Sequence, residues 1–338
     1  MKRVVSVSLG SKKGDKTATA TFLGQPFELT RRSVAGIPAA MELIRELDGQ
    51  VDAIGLGGID RYLYAGERRY TIRDGERLAQ CARTSPVVDG SGIKNTLERN
   101  AVLWLQRQGL VDFPNQKVLL VCAVDRFGMA QALDRLGGPV IYGDLLFSLG
   151  LPVPMRSHAQ VKRLGALILP VVTRLPFQWL YPTGEQENQA IARHEQYFRW
   201  ADVIAGDFKY IKRYLPSAES GALAGKTVLT QTLTPTDVEA LRERGVSRLV
   251  TSTREFDGRT FATNVVEGVI VALAGKRPEE MQPEEYDTWL ERLEWTPTVR
   301  ALGDAGGVRE KENGGGSEGV RGRGRCRQHP SRRFSDPR

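Results

Sequence analysis

Apolar and polar positions follow two periods along this chain. In the first third, RVVSVSL and TATATFLG are apolar or alternate with period two, which predicts strands. GIPAAMELIRELDG repeats its apolar residues every three or four positions and is followed by Gly49, which predicts a helix. VDAIGL is a short buried strand, RYLYAGERRYTI a hairpin turning at Gly66, and DGERLAQCART a helix opening on Asp74. PVVDG is a strand, and IKNTLERNAVLWLQRQG a longer helix ending at Gly109.

From Lys117 onward the alternation becomes regular. VLLVCAV, PVIYGD, WADVIAGDF, KTVLTQT and SRLVTST read as strands. FGMAQALDRLG, residues 158–169 and 185–199, TPTDVEALRERG (capped by Thr234 or Thr236), NVVEGVIVALAG and PEEYDTWLERL read as helices. Strands alternating with helices at this spacing imply βαβ units and a mostly parallel sheet. The expected architecture is two α/β domains, residues 1–112 and 113–302, the second Rossmann-like, bridged by the helix at 94–107 and helices near the C-terminus. Residues 303–338 carry almost no large apolar side chain and are expected to be disordered.

Composition narrows the class. Of the 338 residues, 41% are hydrophobic and 26% charged, as in soluble globular proteins. Runs 118–124 and 164–169 are far too short to span a bilayer. MKRVVSVSLG has no apolar stretch of signal-peptide length, so a cytoplasmic protein is expected. The net charge of +8 divides evenly: 303–338 hold nine Lys/Arg against five Asp/Glu, and the other 302 residues hold 39 against 35. The folded part is therefore mildly basic. An anionic small molecule is the expected partner, nucleic acid is not, and a homo-oligomer is compatible with the sequence. Cys81, Cys122 and Cys326 stand far apart, so no zinc site or disulfide framework is expected.

Candidate chemistry lies at strand ends, where open parallel sheets bind ligands. The turn after VLLVCAV offers Asp125, Arg126, Phe127 and Gly128 at a helix start suited to phosphate. Asp144 stands about 20 residues beyond, where an acid would hold a ribose diol and favour NAD over NADP. Gly206, Thr251 and Thr253 end later strands. Gly128 is the lone glycine of the expected fingerprint in that turn, so a dinucleotide site and a plain α/β core both stand. In PVVDGSGIKNTLERN, Asp89, Ser91, Lys94, Asn95 and Thr96 crowd eight residues. A Lys94/Asp89 pair suits proton transfer from an alcohol, with the helix dipole and burial lowering the lysine pKa. The alternative is that Asp89 or Ser91 caps the helix and Lys94 is solvated. In the proline-rich stretch 170–186, Arg174 is available to a substrate carboxylate, while Phe177, Trp179 and Tyr181 suit a pocket wall or an interface.

VVSVSLGS, GLGGIDRYLYAG, VDGSGIKNTLER, CAVDRFGMA, GDLLFSLGLP, VTRLPFQWLYPTGE, ADVIAGDFKYIKRYLP and TFATNVVEGVIVALAGKRPEE resemble a bacterial family labelled quinate 5-dehydrogenase, remotely similar to shikimate dehydrogenases. The resemblance implies NAD(P)-dependent oxidation of quinate to 3-dehydroquinate, with a substrate domain preceding a nucleotide domain. The chain departs from shikimate dehydrogenases at two motifs: NVTxPxK is absent, Lys94-Asn95-Thr96 being followed by Leu97, and GxGGxxxA is replaced by VDRFGMA. The alternatives are a non-catalytic α/β protein that binds or senses an anionic metabolite through the loops after Gly206 and Thr251, and a transferase or lyase.

Overall fold

Val4, Val5 and Val7 are buried on alternating sides of β1 (Lys2–Leu9), because that strand is covered on both faces. The computed structural model describes residues 1–10, 15–65, 68–175, 191, 193–231, 233–253, 255–256, 259–260 and 262–303. Residues 1–303 form one compact unit. The segment 304–338, expected to be disordered, lies outside the described residues, as do Phe177, Trp179 and Tyr181.

Among the described residues, β1 lies between β3 (Gln25–Val34) and β4 (Ala53–Gly57), parallel to both. β7 (Val87–Val88) continues the parallel order beyond β4, and β2 (Lys16–Phe22) pairs antiparallel with β3 at the other edge. One face is covered by α1 (Gly36–Leu47) and α2 (Arg73–Ala79), through Leu43, Ile44, Leu47 and Leu78. The hairpin is present as β5 (Tyr62–Ala65) and β6 (Arg68–Thr71), paired Tyr62 to Thr71.

The second sheet runs in the order β9 (Val140–Tyr142), β8 (Val118–Leu120), β10 (Val203–Ala205), β11 (Thr227–Thr230), β12 (Arg248–Thr251), β15 (Thr298–Ala301). All its pairs are parallel except that of edge strand β15. The mixed α/β class and the mostly parallel second sheet are thus as expected. On one face lie α4 (Phe127–Leu136), α5 (His158–Val172) and the C-terminal half of α3 (Ser91–Arg107), through Met129, Leu133, Val161, Val102 and Leu105. On the other lie α6 (Glu195–Trp200), α7 (Phe208–Arg213) and α8 (Pro235–Glu243), through Phe198, Ile211 and Leu241. Thr234, not Thr236, caps α8. The short strands β13 (Glu255–Phe256) and β14 (Arg259–Thr260) form a small ribbon.

The chain then crosses back. α9 (Thr263–Ala274) and α10 (Pro283–Arg292) cover the free face of the first sheet, where Val265, Val269 and Leu290 meet Val4, Phe27 and Ala53. Ile93 and Leu97, from the first half of α3, join the same core. One helix therefore serves both sheets, first half to one and second half to the other.

Candidate functional site

In each sheet the strand order reverses once, between β1 and β4 and between β8 and β10. A crevice beyond the carboxyl ends of the strands is expected at such a point. β4 ends in the turn that carries Asp60, β8 in the turn that carries Asp125, and β10 at Gly206-Asp207. Lys94, in the first turns of α3, reaches between them. Its Nζ donates to Asp125 Oδ1 at 2.6 Å and stands 3.9 Å from Asp60 Oδ2.

The electrostatics reverse one expectation. Burial and the nearby Arg126 work against a charged Lys94, but Asp125, Asp60 and Glu98 outweigh them and hold its ammonium well above the usual lysine range. Lys94 is a fixed cation, not the lowered-pKa base anticipated from the helix dipole. Burial raises Asp60 to about 6, against the pull of Lys94. Desolvation also works against a charged Asp125, which is half-buried, but Arg126 and Lys94 draw it down to about 2.

Behind Asp125 lies Arg126, 2% exposed. Its guanidinium sits 3.1 Å from Glu98 Oε1 and 3.4 Å from Asp125 Oδ2, and pairs with Asp207. Glu98 also accepts from the Gln231 amide, and burial raises its carboxyl to about 7. Glu98 Oε2 and Arg126 Nε make no hydrogen bond among the described residues. Buried groups without partners and displaced pKa values together single this cluster out as a candidate site. Toward the surface, Tyr62, Tyr64, Ser91, Lys94, Asn95, Val124 and Asp125 enclose a cavity of about 10 Å³, room for one water molecule.

Asp89 is adjacent but differently employed. Its carboxylate accepts from the amides of Arg61 (2.5 Å), Tyr62 (3.0 Å) and Ser91 (3.1 Å), and from Ser91 Oγ (2.6 Å). It fastens the hairpin to the start of α3, and no Lys94–Asp89 contact is found. Ser91 and Asn95 line the cavity, and Thr96 is buried on α3. Arg174 is exposed just past α5.

The turn before α4 does not fit a dinucleotide. Asn95 Oδ1 accepts from the Gly128 amide at 3.0 Å, and a Cβ on Gly128 would lie 1.9 Å from the Asn95 carbonyl oxygen. The glycine is there to let α3 and α4 touch. Asp144, 3% exposed, accepts from the amides of Ala123 (3.0 Å) and Val124 (2.8 Å), so the carboxylate expected to hold a ribose closes the turn instead. Phe127 is buried against His158 at 4.7 Å between ring centroids. Gly206 has a φ of +130° and packs on Val121. Thr251 Oγ1 donates to the Thr253 carbonyl at 3.1 Å, and Thr253 Oγ1 to the Gln231 carbonyl at 2.8 Å. These groups, expected to hold a cofactor, bind the protein to itself.

Of the residues singled out in the sequence, the structure gathers Lys94, Asp125, Arg126, Asn95 and Ser91. Asp60, Glu98, Asp207, Gln231, Tyr62 and Tyr64 were not among them. Asp60 and Asp207 carried a signal, each being an acid just past a strand. Glu98 did not, because a Lys94–Glu98 spacing of four reads as a solvated ion pair on a helix.

Residues 92–302 match the family described as domain of unknown function (DUF8754), and the chain belongs to it. Residues 3–89 match a second domain of unknown function (DUF8753). No curated protein matches the chain. An ABC-transporter solute-binding protein from Burkholderia multivorans is 10% identical, covering 88% of this chain and 98% of its own, with a TM-score of 0.37. A glucose-galactose binding protein from Geobacillus stearothermophilus is 10% identical, covering 90% and 99%, with a TM-score of 0.36. A methylenetetrahydrofolate dehydrogenase-cyclohydrolase from Trypanosoma brucei is 9% identical, covering 87% and 86%, with a TM-score of 0.31. These findings correct the expected quinate dehydrogenase family, since the families that match the chain are domains of unknown function. The NAD(P)-linked oxidation of quinate and its place in shikimate metabolism fall with it. No described helix is long and apolar enough to cross a membrane.

Proposed function

We propose that this DUF8754 chain is a non-catalytic binding protein for a small, neutral, polyhydroxylated ligand held where the strand ends of its two sheets meet. The observation that carries this reading is the bridge by Lys94 from Asp60, past the first sheet, to Asp125, past the second. The residues lining this one small space carry two phenols, a hydroxyl, an amide, an ammonium and a carboxylate. That mixture of donors and acceptors suits hydroxyl groups, which need both, and tyrosine rings offer faces for the C–H groups between them.

Charge favours a neutral guest over the anion expected from net charge. Two cations, Lys94 and Arg126, face four carboxyl groups, Asp60, Glu98, Asp125 and Asp207. With Asp60 near 6 and Glu98 near 7, the cluster is close to neutral near pH 5 and net negative at pH 7. An anion gains no Coulomb energy there. A cavity of about 10 Å³ also means that the ligand selects a more open arrangement of these walls.

The test is a thermal-shift panel of aldoses, ketoses and alditols beside the corresponding sugar acids, quinate and NADH. A neutral member is expected to raise Tm by several degrees once it exceeds its Kd about 100-fold. A response confined to acids or to NADH, or none from any neutral polyol, overturns the proposal.

A further inference from the structure

A second concavity lies at the other edge of the first sheet. α1 connects two parallel strands and so runs back along them, bringing its last turn to the edge where strands begin. There the end of α1 and the end of α2 border an open groove of about 560 Å³, within the range of small-molecule sites. Its walls include Arg45, Arg77, Arg83, Gln80, Cys81 and Asp48.

The charges of this groove are unbalanced. The exposed side chains of Arg45 and Arg83 make no hydrogen bond or ion pair among the described residues. Arg77 has a loose pair with Asp74 at 3.5 Å. Asp48 is occupied: its two oxygens accept from the amides of Arg83, Thr84 and Ser85, each at 2.8 Å. Arg277 adds a fourth guanidinium behind the loop, donating to the carbonyls of Arg83 and Thr84. Arg45 and Arg77 stand in last turns, where a cation offsets the helix dipole. That role does not account for Arg83, a loop residue bordering the same hollow.

We propose that this groove binds a small multivalent oxyanion, a phosphate or a polycarboxylate, between the guanidinium groups of Arg45, Arg77 and Arg83. Planar guanidinium forks match such oxygens two at a time, and free forks around a concave surface are placed to do so. This site is independent of the polyol reading, and either can fail alone.

Calorimetric titration of the full chain at low salt, with pyrophosphate and separately with citrate, tests it and separates the two sources of charge. One of them is expected to bind one-to-one, more weakly as salt is added. The Arg45→Gln/Arg83→Gln variant is expected to lose at least ~10-fold in affinity at unchanged Tm, the effect of losing one charge-assisted hydrogen bond. Should the double variant unfold, Arg83→Gln alone serves, its side chain being exposed. In a Cys326→Ser background, the bound anion is also expected to slow thiol labelling of Cys81. No heat from either anion overturns the proposal. So does equal affinity in wild type and variant, which would assign the binding elsewhere, for example to the basic 303–338 segment.

Discussion

Glu267 is a carboxyl group removed from water, 2% exposed, accepting from the Gly90 amide at 2.7 Å and the Tyr286 hydroxyl at 2.9 Å. Burial first, then the neighbouring Asp89, raise it to about 8. Its unfolded value is near 4.5, so the folded chain holds this proton more tightly. The stabilisation is complete below pH 4.5 and is lost as pH rises through 8, at up to about 1.4 kcal/mol per pH unit. Glu267→Gln keeps an acceptor and cannot ionise. Its urea midpoint is expected to exceed that of wild type at pH 8 and to converge with it near pH 5; parallel curves at both would contradict the assignment. Lys94→Met leaves Asp60 and Asp125 without their shared cation. A loss of about 3 kcal/mol is expected at pH 8, the lower end for breaking a buried pair. The loss should shrink toward pH 5 as Asp60 protonates, and Lys94→Met/Asp125→Asn should recover part of it. The sequence located Lys94, Asp125 and Arg126 by the strand-end rule. It did not pair them, because partners such as Arg126 and Asp207 stand 81 residues apart and local periodicity is blind to such distances.

Among the elements, the β8–α4 turn carries the clearest lesson. VLLVCAVDRFGMA has the order of a phosphate-binding strand, turn and helix, but its amides are satisfied internally by Asn95 and Asp144. Gly128 marks close helix packing, and Gly128→Ala drives a methyl into the Asn95 carbonyl. A cost of about 1–3 kcal/mol, the usual range for overpacking, is expected in urea melts. A neutral substitution would mean that α3 and α4 part easily. Most strands and helices were legible because their apolar periods are long. β3 was not, since Pro26, Arg31 and Arg32 obscure the alternation of Phe27 and Leu29. β15 was missed as well, a four-residue edge strand with only half-buried side chains along Thr298–Arg300.

At the scale of the molecule, chain order and spatial order diverge. α9 and α10, far along the sequence, cover the first sheet. The division at residue 112 follows the sequence pattern, but the cover of that sheet's second face comes largely from residues 263–293. A fragment of 1–112 would expose Val4, Phe27 and Ala53 to water and is expected to be insoluble or unfolded, whereas 1–303 should melt cooperatively. A folded, soluble 1–112 would show that α9 and α10 are dispensable. The same divergence builds the Lys94 cluster, which neither sheet completes alone.

The most direct measurement is a calorimetric titration of the best neutral polyol from the panel into wild-type and Lys94→Asn chains at pH 7. One-to-one binding to wild type, weakened at least ~10-fold in a variant that still melts cooperatively, is the expected result, Lys94 being the charged donor among the residues that line the cavity. Equal affinity in the two proteins would place the ligand elsewhere and contradict the assignment of this cluster as the binding site.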